Sequence, residues 1–197
     1  NRIGMLIDLA HASDATMRDV LELSHVPVAY THGCCRALAS HRRNISDELM
    51  RGIAEGGGVV CMSIYPCFLD DDFVRVLADS GLELKYGVED EFIKDPSDPL
   101  KRAAWHELLD ELAALPRPSV SRVVDHIEHA VAVAGVGHVG LGTDYDGIEV
   151  TASGLEDISK FPAVFDEMRR RGFSRSEISK IAGGNFLRVL KEVKKRA

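Results

Sequence analysis

The chain has 197 residues, of which 45% are hydrophobic and 28% are charged, as is usual for a globular protein. Its formal net charge of −7 and its pI near 5.6 argue against binding to nucleic acid or to an anionic membrane surface. The sequence contains no run of 18 apolar residues, so it predicts no membrane span.

Strand-like and helix-like segments alternate along the chain. The strand-like runs are almost continuously apolar, which is typical of a parallel sheet that is covered on both faces. Ser13 and Asn44 stand where the N-caps of the first two helices are expected. The predicted strands are 5–10, 26–31, 57–64 and 138–144, and the predicted helices are 13–24, 44–56, 119–135, 159–172 and 174–196.

Residues 66–118 interrupt this alternation. They combine helical patterns with the polar stretch "DEFIKDPSDP". A loop of this length with helices of its own usually covers a site, so we predict a partly helical insertion over the functional site. The whole chain, 1–197, is expected to form a single domain.

The four successive βα units predict a parallel sheet, either in a doubly wound fold or in a TIM barrel. No G-x-G-x-x-G follows any of the strands. Polar residues follow the strands at their carboxyl ends, where both folds place their chemistry. Four strands alone would leave open sheet edges, so we expect the rest of the fold to come from missing sequence or from another polypeptide.

The four cysteines are poor candidates for disulfides. Cys34 and Cys35 are adjacent, and neither Cys61 nor Cys67 completes a C-x-x-C pair. This pattern fits a reducing compartment, and we expect a cytoplasmic protein. Thiolate ligands from "THGCC" are possible in principle, but the histidines nearby are better candidates for binding a metal.

His11 and His32 end two successive predicted strands, 21 residues apart. Because neighbouring parallel strands lie about 4.8 Å apart, two imidazoles in such matched positions can share one metal ion. Zinc prefers histidine nitrogen together with carboxylate oxygen. The alternative is that each histidine is a hydrogen-bonded polar residue of an ordinary βα turn. The matched positions favour the metal site.

Asp144 ends the last predicted strand, Asp146 follows it, and Arg43 follows the second predicted strand. A carboxylate at a strand end can bind metal, move a proton or cap a turn. Gly147 directly after Asp146 indicates a turn role for Asp146, which leaves Asp144 as the catalytic candidate. Arg43 could hold a substrate carboxylate through two hydrogen bonds, or it could be a solvated loop residue.

Several motifs together resemble the membrane (renal) dipeptidase family, the M19 metallopeptidases. They are "LIDLAH", "PVAYTH" followed by "SHRRN", "GLGTDYDG", "GLEDISKFP" and "GGNFLRVL". The resemblance implies an α/β fold of the (β/α)8 TIM-barrel metallohydrolase type, with two zinc ions, that cleaves dipeptides. It implies that His11 and His32 bind one zinc, that Arg43 holds the substrate carboxylate and that Asp144 transfers a proton. It also implies a structural role for Asn185.

Three features of the family have no counterpart in this sequence. They are an H-x-D zinc pair, the glutamate that bridges the two metals and a histidine that contacts substrate, and all would lie before Asn1. The chain therefore resembles the C-terminal half of the barrel, about its last four βα units. We expect a zinc-dependent dipeptidase that acts on a dipeptide substrate and forms a homodimer.

Two other functions stay open at this stage. One is a different amidohydrolase-type metal hydrolase that acts on cyclic amides or esters. The other is an inactive relative or fragment with a binding or assembly role, which the missing zinc ligands suggest. Zinc content and substrate profiling would separate the three.

Overall fold

The computed structural model describes residues 3–195, which form a small parallel sheet surrounded by helices. The strands are β1 (Ala29–Gly33), β2 (Val59–Met62) and β3 (Val139–Leu141). The helices are α1 (Asp14–Leu23), α2 (Asp47–Glu55), α3 (Pro66–Leu69), α4 (Asp71–Ser80), α5 (Gly87–Lys94), α6 (Pro99–Ala114), α7 (Val120–Ala134), α8 (Pro162–Arg170), α9 (Arg175–Ser179) and α10 (Asn185–Lys194).

The strands pair in chain order, β1-β2-β3, and both pairs are parallel. The first predicted strand, 5–10, contributes a parallel bridge at Asp8, which pairs with Ala29. Leu9 N–H donates to the carbonyl of Ala29 at 2.8 Å, so the chain here runs alongside β1. Four parallel segments therefore lie side by side in sequence order, and their carboxyl ends meet at one edge.

Alternate residues of β2 belong to two different apolar clusters. Val60 packs in the main core, whereas Val59 packs in a second cluster with Val189 and Val193 of α10. All four side chains are fully buried. Burial of one such side chain contributes roughly 1.5–3 kcal/mol, so helices on both faces stabilise the central strand. This explains why β2 has an uninterrupted apolar sequence.

Helix α2 begins later than the sequence predicts. Its N-cap is Ser46, whose hydroxyl accepts a hydrogen bond from Leu49 N–H, so Asn44 is not the cap. Asn44 is instead fully buried, and its side chain bonds to backbone groups of two loops. Tertiary contacts thus override the local capping preference of this residue.

The predicted C-terminal helix, 174–196, is broken into two parts. Between α9 and α10, residues Lys180–Gly184 form a π-type turn, and Gly183 has a φ of 159°. Ser174 and Glu177 form a capping box at the start of α9. Arg196, the last residue of the predicted helix, lies outside the described residues.

Residues 66–118 are mostly helical and contain α3, α4, α5 and α6. Phe68 of α3 packs beside the carboxyl ends of the strands, and Trp105 of α6 stacks on Phe92 of α5. Whether this insertion covers the site of the whole protein stays a prediction. None of the helices described between residues 3 and 195 is long and apolar enough to cross a membrane.

Candidate active site

A pocket of about 260 Å³ opens at the carboxyl ends of the strands. Three of the four predicted site residues line it: His11, Arg43 and Asp144. The fourth, His32 of β1, contacts the pocket through His11. The lining is completed by Tyr65, Phe68, Gly147, Ile148 and Glu149.

The two predicted metal ligands face each other directly. Nε2 of His11 lies 2.9 Å from Nε2 of His32, with the ring centroids 5.0 Å apart. His11 has a φ of 69°, in the left-handed region that residues other than glycine rarely adopt. Desolvation, together with the nearby charge of Arg43, lowers the pKa of His11 and favours the neutral imidazole that a metal requires.

His32 is held by a hydrogen-bond chain that the sequence did not reveal. The hydroxyl of Thr31 donates to Oδ2 of Asp8 at 2.6 Å and lies 2.8 Å from Nδ1 of His32. Because an ionised carboxylate can only accept, the hydroxyl proton points at Asp8, and the Thr31 oxygen accepts Nδ1–H of His32. The other nitrogen, Nε2, is then left with its lone pair towards His11. Such a partner on the far ring nitrogen is usual for a metal-binding histidine.

The His11 and His32 side chains fit a zinc ion in both chemistry and spacing. Zinc binds imidazole nitrogen at about 2.0–2.1 Å, so two nitrogens on one tetrahedral ion lie roughly 3.3 Å apart. A small opening of the 2.9 Å contact would admit the ion. Within residues 3–195, no group of three or more His, Cys, Asp or Glu side chains is arranged to hold a metal. The described part of the chain thus offers two ligands of a larger set.

Arg43 has a fixed backbone, and two nitrogens of its side chain have no hydrogen-bond partner. Its N–H donates to Nδ1 of His41 at 3.2 Å, and its carbonyl accepts the hydroxyl of Tyr30. Its guanidinium carbon lies 5.4 Å from the ring centre of Phe68. Nε and Nη2 are buried and have no hydrogen-bond partner. Buried donors of this kind are costly unless a ligand satisfies them.

Asp144 begins a tight turn three residues after the end of β3. Its φ is 61°, and its carbonyl accepts a hydrogen bond from Gly147 N–H at 3.0 Å. Asp146, with a φ of 65°, occupies the same turn, which agrees with the turn role that its sequence indicated. A Cβ atom on Gly147 would lie 2.8 Å from Oδ1 of Asp144. Glycine at this position therefore leaves the space that the Asp144 carboxylate occupies.

The cysteines are separate from the pocket that the predicted site residues line. All four are free thiols and are buried. Desolvation raises the pKa of Cys35 to about 12, which keeps its thiol protonated. Two histidines outside the pocket bond elsewhere, His129 to Asp47 and His138 to the carbonyl of Gly58.

The sequence analysis gave no role to several residues that shape the site. Asp8 and Thr31 support His32, while Tyr65 and Phe68 line the pocket. The sequence held a signal for Asp8 and Thr31. Asp8 lies three residues before His11, and Thr31 directly precedes His32. Tyr65 and Phe68 follow β2 in the same way that Arg43 follows β1, but apolar and aromatic residues at that place are more often core.

Comparison with known proteins identifies the family. The model of the membrane dipeptidase family, peptidase family M19, matches residues 1–197. The chain is 33% identical over 193 residues to Dipeptidase verJ of Clonostachys rogersoniana, which covers 98% of this chain and 38% of that protein. It is 34% identical over 193 residues to Dipeptidase aclJ of Aspergillus oryzae, covering 98% of this chain and 36% of that protein. The chain thus spans less than half of the length of these curated relatives.

Solved structures give the same result. The probable dipeptidase PvdM from Pseudomonas aeruginosa matches with a TM-score of 0.75 and 29% identity, over 98% of this chain and 52% of that chain. A metallopeptidase from Rhodobacter sphaeroides, liganded with a phosphinate mimic of the dipeptide L-Ala-D-Ala, shares the fold with a TM-score of 0.71 and 23% identity, over 96% of this chain and 43% of that chain. The predicted α/β fold of the TIM-barrel type is confirmed, with this chain covering about half of it. The chain belongs to the membrane dipeptidase family, peptidase family M19.

Proposed function

We propose that this chain forms the substrate-holding and proton-transferring half of a zinc-dependent dipeptidase. The observation that carries the proposal is Arg43. Its buried Nε and Nη2 atoms have no partner, and it shares one pocket with His11 and Asp144. The family match and the dipeptidase names of the relatives support the same reaction class.

Arg43 would bind the free carboxylate of the substrate. A planar guanidinium forms two parallel hydrogen bonds to a carboxylate, and two of its nitrogens are available and desolvated here. Because Tyr30 and His41 fix the Arg43 backbone, little ordering is needed when substrate binds. A carboxylate held at this depth favours a substrate whose C-terminus lies close to the bond to be cleaved, as in a dipeptide.

His11 and His32 would hold one zinc ion, with further ligands from outside residues 3–195. Zinc bound here would polarise the peptide carbonyl and supply an activated water near neutral pH. Asp8 and Thr31 keep the lone pair of His32 Nε2 directed at the ion. Two zinc ions in the complete site are part of this proposal.

Asp144 would move the proton. Asp144 lines the same pocket as His11, and its carboxylate interacts electrostatically with that imidazole. It can accept a proton from the attacking water and return it to the leaving amine, which the reaction requires for cleavage of a peptide bond. The turn from Asp144 to Gly147 holds this carboxylate in position.

The test compares a dipeptide with its C-terminal amide in the complete protein. Arg43→Ala should lose a charge-assisted hydrogen bond worth about 1.5–3 kcal/mol, so the two substrates should become similar in kcat/KM. Arg42→Ala is the matched control, because Arg42 is the adjacent residue and is exposed. If Arg43→Ala still strongly prefers the free acid, Arg43 does not bind the carboxylate. If the wild type hydrolyses neither substrate but folds, the non-enzymatic alternative is favoured.

A further inference from the structure

The position of the Arg43 guanidinium depends on two separate loops. We call residues 34–44, which follow β1 and include Arg43, the arginine loop. Residues 65–70, which follow β2 and include α3, are called the phenylalanine loop, since the Phe68 ring lies beside the guanidinium. The two loops must keep a fixed separation if the guanidinium is to meet a carboxylate at one place.

One arginine of α7 joins the two loops. Arg122 donates from Nη2 to the carbonyl of Leu38 in the arginine loop at 2.9 Å. It also donates from Nε to the carbonyl of Leu69 in the phenylalanine loop at 3.0 Å. The carboxylates of Asp125 and Asp70 lie 3.4 and 3.8 Å from its guanidinium nitrogens.

A histidine one helical turn further along α7 makes the same connection. His126 is fully buried, and its Nδ1 accepts the N–H of Cys35 in the arginine loop at 3.0 Å. Because a backbone N–H can only donate, the ring proton is on Nε2, and Nε2–H donates to the carbonyl of Leu69 at 2.9 Å. Burial lowers the pKa of His126 to about 4, which agrees with a neutral ring. Residues four apart lie on one helix face, so Arg122 and His126 act from the same side.

Asn44 completes the connection between the loops. Its Oδ1 accepts the N–H of Cys34 at 3.0 Å, while Nδ2 donates to the carbonyls of Ala39 at 2.9 Å and Phe68 at 2.8 Å. Asn44 directly follows Arg43 in sequence. The backbone on both sides of the Arg43 guanidinium is thus held by side-chain hydrogen bonds to main-chain groups of the two loops, and none of them involves His11 or His32.

We propose that Arg122 and His126 are positioning residues for substrate binding, which hold the arginine loop and the phenylalanine loop so that Arg43 is preorganised for a carboxylate. The inference rests on the proposed role of Arg43. A guanidinium that is held in place loses little conformational freedom when it binds, whereas one on a loosened loop must be ordered by the substrate. Loosening the loops should therefore weaken ground-state binding of the carboxylate more than it slows the chemical step.

Arg188 offers a matched control. Like Arg122, it donates to the backbone carbonyls of separate segments, at 2.6 Å to Gly57, 3.3 Å to Gly58 and 2.8 Å to Gly137. These carbonyls lie at the amino ends of β2 and β3, away from the pocket. Replacement of Arg188 by Met removes hydrogen bonds to backbone carbonyls, as replacement of Arg122 by Met does. It leaves the connection between the two loops intact.

The experiment measures KM and kcat for a dipeptide and its C-terminal amide in the complete protein. For Arg122→Met we expect the KM of the free acid to rise by about tenfold, with kcat within about twofold and the amide unchanged. Arg188→Met should lower the thermal midpoint to a similar degree but keep the wild-type preference for the free acid. Arg122→Lys, which keeps the charge and retains a donor for only one loop, should give a smaller shift in the same direction.

The outcomes separate this inference from the proposed function. If the wild type prefers the free acid and Arg43→Ala loses that preference, the proposed function stands. If Arg122→Met and Arg122→Lys then both retain the full preference, the positioning role is overturned. If Arg122→Met does not fold, Arg122→Lys and His126→Gln are compared in the same way. A wild-type preference for the free acid over the amide in both variants overturns the positioning role. An equal loss of preference in Arg188→Met would show a general effect of lowered stability and would also overturn it.

Discussion

The arginines at the carboxyl and amino ends of the sheet differ in how their guanidinium groups are hydrogen-bonded. At the amino ends, Arg188 donates to the carbonyls of Gly57, Gly58 and Gly137. At the carboxyl ends, Arg43 keeps two buried nitrogens without a partner. Both arginines belong to one fold, so the difference in their hydrogen bonding is a difference between the two ends of the sheet. At the amino ends the guanidinium bonds within the fold, whereas at the carboxyl ends two buried donors have no protein partner, which agrees with the carboxylate site that we propose.

The backbone shows the same contrast. Left-handed conformations near the amino ends of β2 and β3 fall on glycines, Gly57 at 77° and Gly135 at 83°. At the carboxyl ends they fall on His11, Asp144 and Asp146. A residue other than glycine in this region costs roughly 1 kcal/mol or more. Two of these three residues, His11 and Asp144, line the pocket, so the backbone cost falls beside the candidate site.

The largest expected effect comes from a histidine at the carboxyl end. His32→Ala in the complete protein should lose zinc and abolish hydrolysis while the fold is kept, because Nε2 of His32 faces His11. His138→Ala is the control from the amino end, where the ring bonds to the carbonyl of Gly58. Metal analysis after dialysis and dipeptide turnover provide the measurement. Normal zinc content and turnover in His32→Ala would remove this residue from the ligand set.

The next effect concerns Asp144. Asp144→Asn should keep zinc but lower turnover by roughly 10²–10⁴-fold, since an amide cannot accept and return a proton. Asp146→Asn, in the same turn but outside the reaction, should change turnover much less. The measurement is zinc content with kcat for both variants. A near-normal rate with full zinc in Asp144→Asn would contradict proton transfer, and loss of zinc would indicate a ligand role.

The smallest expected effect is a difference in KM between variants of two buried asparagines. Asn185 donates from Nδ2 to the carbonyls of Val136 at 2.8 Å and Val139 at 2.7 Å, near the amino end of β3. Asn185→Ala should lower the free energy of unfolding by about 1–3 kcal/mol and leave the KM for dipeptide unchanged. Asn44→Ala, at the other end, should lower stability similarly but also raise KM. Denaturant titration and steady-state kinetics would test the pair, and equal KM values in both variants would break the contrast between the ends.

The position of the candidate site could be predicted because the ends of the apolar runs can be recognised in the sequence. Apolar runs that stop at His11, His32 and Asp144 predict one edge of a parallel sheet, and His11 and Asp144 do line a common pocket. Their roles stay predictions. Strand bounds were less accurate, since His32 lies within β1 and the first run contributes only the bridge at Asp8.

The supporting contacts could not be predicted in the same way. Thr31 is next to His32 in the chain, but only the folded structure shows that its hydroxyl joins Asp8 to that ring. His126 lies far along the chain from Cys35, and helical periodicity could place it only on a buried face. Asn44 resembles a helix cap by residue type, yet its side chain bonds elsewhere. Periodicity predicts which face of an element is buried, but not the partners of the polar groups buried there.

The order of the strands in the chain has a consequence for the folding pathway. Residues 34–58 separate β1 from β2, whereas residues 63–138, about three times as many, separate β2 from β3. Closing the longer loop costs roughly 1 kcal/mol more in chain entropy, so pairing of β1 with β2 is favoured to come first. Pulsed hydrogen exchange during refolding should then protect the amides of β2 that bond to β1 before those of β3, and simultaneous protection would contradict this order. On this order of events, Asp144 would reach the pocket only after β1 and β2 have paired.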